Sequence, residues 1–254
     1  MSQSIEVLLT PAEFRELGAR DVRQTTCVVF DVLRATSSMV TALAHGATSI
    51  HPAADIPEAL RLREQIPDAL LAGERDGLRI TAGLTGGVEF DLGNSPREFT
   101  RNRVLGRPII MSTTNGTRAL RACRGAQEVL VASLLNLGAV AAVLHRWQPA
   151  DLLLICAGTV EQASFEDTVA AGALCDLLWP CYGRGDVADS AALARELYLR
   201  HADNVGPAIA SHARNARRLL ARPELAADVA FCLRRDVFHL APRMASDGAV
   251  RWVA

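Results

Sequence analysis

Short apolar runs alternate with longer stretches of helical periodicity along this chain. Residues 25–30, Thr-Thr-Cys-Val-Val-Phe, are β-branched and apolar, the pattern of a buried strand, and the run stops at Asp31. A helical stretch at 37–44 follows and ends before Gly46, a natural C-terminal stop. The same succession recurs. Strands are predicted at 5–9, 49–51, 70–72, 108–111, 129–132, 151–156 and 237–240. Helices are predicted at 11–17, 56–65, from Thr117 through Cys123, at 137–144, from Phe165 to about Leu178, at 190–200 and at 212–220. Strands alternating with helices predict an α/β fold, three-layer α/β/α with a mostly parallel or mixed sheet. The 254 residues suffice for a single α/β unit over 1–254, with two lobes meeting near residue 150 as the alternative.

The polar positions gather in four loops that follow strands: 31–38, 73–95, 112–117 and 157–167. Ligands of open α/β sheets bind at the carboxyl ends of strands, and helix N-termini there favour anions. These loops pool the acids Asp31, Glu74, Glu166 and Asp167, the arginines Arg34 and Arg75, and the small donors of Ser112-Thr-Thr-Asn-Gly-Thr117. Hydroxyls around a glycine can wrap backbone N–H groups about an anion. Plain structural readings compete: Asp31 and Ser37 as helix caps, Asn115-Gly116 as a turn, Glu166 and Asp167 as acids favoured in a first helical turn. Ser95-Pro96-Arg97-Glu98 has the form of a capping box and predicts a firm helix start closing the 73–95 loop.

Composition narrows the chemistry. The net charge of −1 gives no electrostatic case for nucleic acid. The apolar stretch 129–145 is shorter than the ~20 residues of a spanning helix, so no membrane role is expected. Six cysteines show no C-x-x-C pair or zinc spacing, which suits a reducing, cytoplasmic setting. The chain contains no lysine; all 27 of its Lys+Arg residues are arginine. That excludes Schiff-base chemistry and the usual P-loop lysine, and leaves anions to arginine, backbone N–H groups and metal. Acids with water suit a hard cation such as Mg²⁺, and arginines with hydroxyls suit an oxyanion. Together they suit phosphoryl transfer. A Cys-x5-Arg loop is absent, and Leu33 stands where an Asp-x-Asp loop needs its second acid.

Val28-Val-Phe-Asp-Val-Leu-Arg-Ala-Thr-Ser, Gly73-Glu-Arg, Asp91-Leu-Gly-Asn-Ser-Pro96, Thr113-Thr-Asn-Gly-Thr117 and Cys156-Ala-Gly-Thr with Phe165-Glu-Asp-Thr168 occur in that order. Together they resemble the 2-phosphosulfolactate phosphatase family. The resemblance implies Mg²⁺-dependent hydrolysis of 2-phospho-3-sulfolactate to 3-sulfolactate and phosphate, a step of coenzyme M biosynthesis. Its partner is then a small phosphorylated and sulfonated acid, and a homodimer is compatible with it. A phosphatase for another 2-phospho acid, or a non-catalytic anion-binding protein, is the alternative. On this reading Asp31, Glu74, Glu166 and Asp167 are the metal-ligand candidates; Asp31, Glu166 and Arg34 are catalytic. Asp31 is a ligand in preference to a phosphorylated nucleophile. Substrate would be held by Arg34, Arg75, Asn94, Ser95, Thr113, Thr114, Asn115, Gly116 and Thr117. No role is carried over to the arginine-rich tail, whose Arg214, Arg217 and Arg218 read as a solvated face.

Overall fold

A computed structural model describes residues 3–252. It is a mixed sheet with helices packed on both faces, the three-layer α/β/α arrangement expected. The strands are β1 (Ser4–Leu8), β2 (Thr25–Phe30), β3 (Ser49–Pro52), β4 (Leu70–Arg75), β5 (Leu78–Arg79), β6 (Pro108–Ser112), β7 (Glu128–Ala132), β8 (Asp151–Cys156), β9 (Asp186–Val187), β10 (Arg243–Met244) and β11 (Val250–Arg251). Their order is β5-β4-β6-β3-β11-β10-β7-β2-β8-β1-β9.

The sheet holds two parallel groups. β4, β6 and β3 form one, and β7, β2, β8, β1 and β9 the other. Between them sits the antiparallel hairpin β10–β11, joined to β7 through Arg243 opposite Leu130 and to β3 through Val250 opposite Ile50. Three antiparallel pairings in succession reverse the strand sense, so the two groups run oppositely.

Alternate residues of β2 serve two cores, as a strand's period of two dictates. Val28 and Phe30 pack with Leu130 and Leu154 beneath the helices Leu137–Trp147 and Phe165–Tyr182. Cys27 and Val29 pack with Ile155 and, from the other group, with Ile50, Ile109 and Met111. The helix Ala35–Ala44 lies in that second core through Met39, Val40 and Leu43. It is buried on almost every side, which is why its sequence is apolar or hydroxylic all round rather than amphipathic. The sheet is folded: flat, β2 and β6 would stand roughly 24 Å apart at ordinary strand spacing, yet a Cβ on Gly116, just past β6, would lie 2.6 Å from the Ala35 Cβ, just past β2. The folding brings strand ends of both groups to one place.

The departures from expectation have local causes. The helix after β2 starts at Ala35, not Ser37, because the Asp31 carboxylate receives the Ala35 N–H. Residues 95–98 make only the 3₁₀ turn Pro96–Glu98; the Glu98 carboxylate accepts from Gly93 N–H, so the box is not closed. The long 73–95 segment is structured, since β4 runs on to Arg75, β5 pairs back on it, and a short helix Ala82–Thr85 follows. Gly73 permits this: a Cβ there would lie 2.1 Å from the Ser112 carbonyl oxygen. Residues 237–240 form no strand. Phe238 N–H donates to the Leu135 carbonyl, and the Leu240 carbonyl accepts from Asn136, so these groups are spent outside the ladder. Beyond β9 the chain is helical at Asp189–His201, Val205–His212, Arg214–Leu220 and Pro223–Cys232. No helix among the described residues is long and apolar enough to cross a membrane.

Candidate active site

β2 ends by delivering Asp31 into a tight, fully bonded loop. The Asp31 N–H donates to Thr36 Oγ1 (3.0 Å) and its Oδ1 accepts from Ala35 N–H (3.1 Å). Ser37 Oγ donates to the Val32 carbonyl (2.8 Å) and Ser38 Oγ to the Asn94 carbonyl (2.7 Å). The hydroxyl cluster after Asp31 is therefore buried scaffolding. Asp31 both caps the helix and contributes to the site.

Glu74, at the end of β4, joins two loops. Its Oε2 accepts from Gly77 N–H (2.8 Å), and its Oε1 accepts from the Thr114 N–H (2.9 Å) and hydroxyl (2.8 Å). The loop after β6 is closed on itself, with Thr117 Oγ1 donating to the Thr113 carbonyl and Thr117 N–H to Thr113 Oγ1. Gly116 lies directly against Asp31: a Cβ on it would stand 2.7 Å from Asp31 Oδ2. Asp167, in the first turn of the helix after β8, accepts from Val32 N–H (2.8 Å) and Gly158 N–H (3.2 Å), stitching the loops after β2 and β8. Its neighbour Glu166 is buried, with Oε2 unpartnered; Ser164 Oγ is unpartnered as well.

Burial sets the electrostatics. It pushes the Asp31 carboxyl up to about 6, helped by the nearby charge of Glu74, while the Ala35 N–H works the other way. Burial pushes Glu166 up to about 7, with the charge of Asp31 adding to it. It raises Asp167 well above the usual carboxylate range, and there Glu166 and Asp31 add repulsion. Three acids thus lean on one another in a low-dielectric setting.

A cavity of about 140 Å³ opens beside them. Of the expected residues, Asp31, Arg34, Glu74, Asn94, Thr114 and Asn115 line it. Glu166, Asp167, Gly116, Thr113 and Thr117 are not part of that lining; Glu166 instead lines a neighbouring cavity with Thr159, Ser164 and Arg214, and the Ser95 hydroxyl donates to Asp228. Arg75 turns away, donating to Ser112 and to the Glu74 carbonyl. Arg34 lines the cavity but is tied by Nη1 to Asp228 (2.7 Å) and by Nη2 to the Gly77 carbonyl (2.6 Å). The roof is a surprise: Asn215, Arg218 and Arg222 come from the tail. Asn215 and Arg218, three residues apart, share one face of the helix Arg214–Leu220, and Arg222 stands past its end, at the start of the next helix; the sequence reads Arg218 only as part of a solvated face and gives no signal for Asn215 or Arg222.

The oxygen-only donor set can be tested against a hard cation. Among the described residues no three His, Cys, Asp or Glu side chains stand together as a ready metal cage. Mg²⁺ does not need such a cage, since one or two carboxylates, waters and substrate phosphate suffice. Repelling acids and the unpartnered Glu166 oxygen fit that mode.

Fold and site define an α/β protein with acids and arginines around a small cavity, the class that handles small oxyanions. Sequence comparison agrees. The profile of the family described as 2-phosphosulpholactate phosphatase matches residues 10–247. A protein of Thermotoga petrophila named "probable 2-phosphosulfolactate phosphatase" is 39% identical over 219 residues, covering 86% of this chain and 88% of its own. One of Symbiobacterium thermophilum with the same name is 39% identical over 240 residues, covering 93% and 95%. One of Caldanaerobacter subterraneus is 36% identical over 248 residues, covering 96% and 97%. This chain belongs to the 2-phosphosulfolactate phosphatase family.

Proposed function

We propose that this chain is a phosphoric monoester hydrolase that cleaves 2-phospho-3-sulfolactate to 3-sulfolactate and phosphate, with Mg²⁺ as cofactor. Its setting is the cytoplasm, in chemistry of the coenzyme M biosynthesis type. The observation that carries the reading is Asp31: a buried carboxylate on the cavity wall, in the electrostatic field of Glu74, Glu166 and Asp167, next to the Thr114–Gly116 loop. Phosphate monoester hydrolysis is among the slowest uncatalysed reactions, and positioning with charge neutralisation is what accelerates it.

Asp31 with Asp167 or Glu166 would hold the cation, which when bound neutralises phosphoryl charge. The chain's own groups do the rest. Thr114 and Asn115 supply donors at the cavity wall, and Arg34, its charge met by Asp228 and its other Nη by the Gly77 carbonyl, fixes the shape of that wall. Glu166 Oε2, buried without a partner and with its carboxyl pushed up to about 7, is suited to hold or release a proton near neutral pH.

Phosphate release from 2-phosphosulfolactate is the test. Release that stops with a chelator and returns with Mg²⁺, and that Asp31→Asn abolishes in a normally folded protein, is the expected result. Undiminished release after exhaustive metal removal would defeat the cofactor assignment; no release from this substrate under any condition would defeat the function.

A further inference from the structure

The cavity's free positive charge comes from its roof. Asp31 and Glu74 are buried in the wall and Asp76 stands exposed at the rim, so the lining carries three acids. Arg34 answers to Asp228 and the Gly77 carbonyl, and Arg75 to Ser112 and the Glu74 carbonyl. Two guanidiniums remain. Arg218 is exposed, lines the cavity, and makes no side-chain hydrogen bond or ion pair among the described residues. Arg222 lines it too and donates only to the Asp76 carbonyl (2.9 Å), so no carboxylate meets its charge.

Both belong to a segment held at a fixed height. Asn215, three residues before Arg218, donates to Thr159 Oγ1 (2.8 Å) and the Leu33 carbonyl (3.4 Å), tying the helix Arg214–Leu220 down over the loops after β8 and β2. The buried Asn94 amide, which lines the same cavity, keeps Oδ1 unpartnered.

A phosphorylated, sulfonated carboxylic acid brings roughly four negative charges near neutral pH. Its phosphate belongs beside Asp31, where charge must be neutralised for reaction; its other anionic groups need donors elsewhere. The planar guanidinium fork suits a three-oxygen anion. The geometry points to Arg218 and Arg222 as the clamp for the sulfonate, the part of the substrate that does not react. This rests on the substrate reading above. It makes the tail segment 215–222 the seat of specificity: the wall cleaves, and the roof selects.

The test compares the unmodified protein with Arg218→Gln, Arg222→Gln and Arg200→Gln, the last altering an exposed arginine of the helix Asp189–His201. Each is titrated calorimetrically with 3-sulfolactate and with lactate, and assayed on 2-phosphosulfolactate and 2-phospholactate. The unmodified protein should prefer the sulfonated member of each pair. Either cavity variant should lose that preference by about tenfold to a hundredfold per arginine, mostly through KM, while Arg200→Gln keeps it. Retention of the preference within about twofold in both cavity variants overturns the clamp. So does an unmodified protein that binds lactate and 3-sulfolactate alike, whatever its turnover. Selective 3-sulfolactate binding that the variants lose, without hydrolysis of either phospho acid, upholds the clamp and removes the hydrolase reading instead.

Discussion

Asp228 accepts the Nη1 proton of Arg34 at 2.7 Å, and neither side chain is more than 3% exposed. The same carboxylate receives Ser95 Oγ (2.6 Å) and Arg97 Nε (2.8 Å), so a residue of the last helix anchors the loop after β2 and the segment at 95–97 together. A satisfied buried pair is worth little over an apolar substitute, but removing one partner strands the other's charge. Asp228→Ala is therefore expected to cost about 3–5 kcal/mol in urea unfolding. Arg97→Gln should cost less than about 1 kcal/mol, because that guanidinium is 43% exposed and can return to water. Equal losses from the two would mean that Arg34 is solvated after all.

Gly116 tests how tightly Asp31 is confined. A Cβ at 116 would lie 2.6 Å from Ala35 Cβ and 2.7 Å from Asp31 Oδ2, and both neighbours are buried. Gly116→Ala should lower kcat at least about tenfold, equivalent to roughly 1.4 kcal/mol in barrier height. Gly206→Ala provides the contrast: nothing lies within 4 Å of a Cβ there, and it sits in the helix Val205–His212. That change should raise stability by up to about 1 kcal/mol and leave kcat alone.

The acid cluster predicts an unusual pH dependence for the metal-free protein. Asp31 and Glu166 have folded-state pKa values pushed up to about 6 and about 7, and Asp167 is raised too. Between the ordinary carboxylate range and pH 7 the folded chain binds more protons than the unfolded one, so stability falls as pH rises through that window. An ion-paired carboxylate behaves in the opposite sense. After chelation, melting temperature should be higher near pH 5 than near pH 8, and Mg²⁺ should raise it more at the higher pH. A chelated protein that gains stability over this range would show that the acids are not crowded.

Thiol labelling reads the core directly. Burial pushes the Cys175 and Cys232 thiols up to about 12, and raises Cys123 and Cys156 well above the usual thiol range. Cys27 is buried as well, whereas Cys181 is half-buried. Since the thiolate is the reactive form, an aromatic disulfide reagent should modify about one thiol per native chain, at Cys181, and all six after denaturation. Rapid reaction of several thiols in the native protein would indicate an open core.

The strands with continuous apolar runs were legible because burial on both faces leaves an unmistakable pattern; β2 and β8 fall where 25–30 and 151–156 predict them. β10 and β11 were not, being two residues each and specified by their partners rather than by their own pattern. In the site, sequence alone places Asp31, Glu74 and Thr114 after strands, and the fold gathers them. The guanidiniums are different. Whether an arginine is spent or free depends on what the fold sets beside it. Asp228 meets Arg34 across 194 positions of chain, and no local signal announces that. Pro223 at a helix start was a readable sign of the last helix, and that helix carries Asp228.

The hairpin joining the two parallel groups has a consequence for synthesis. Strand β3 gains its second neighbour only when Val250 reaches Ile50, and β7 only when Arg243 reaches Leu130. A ribosome makes β10 and β11 after every other strand, so each half-sheet must wait with one edge uncovered while the helices between are being made. Open edges of that kind invite pairing with other chains, and such long-range closure is slow. Nascent copies on one polysome are thus the setting in which this fold is most exposed to error, and a chain cut before residue 243 would keep the cavity's residues while leaving both β3 and β7 unsealed.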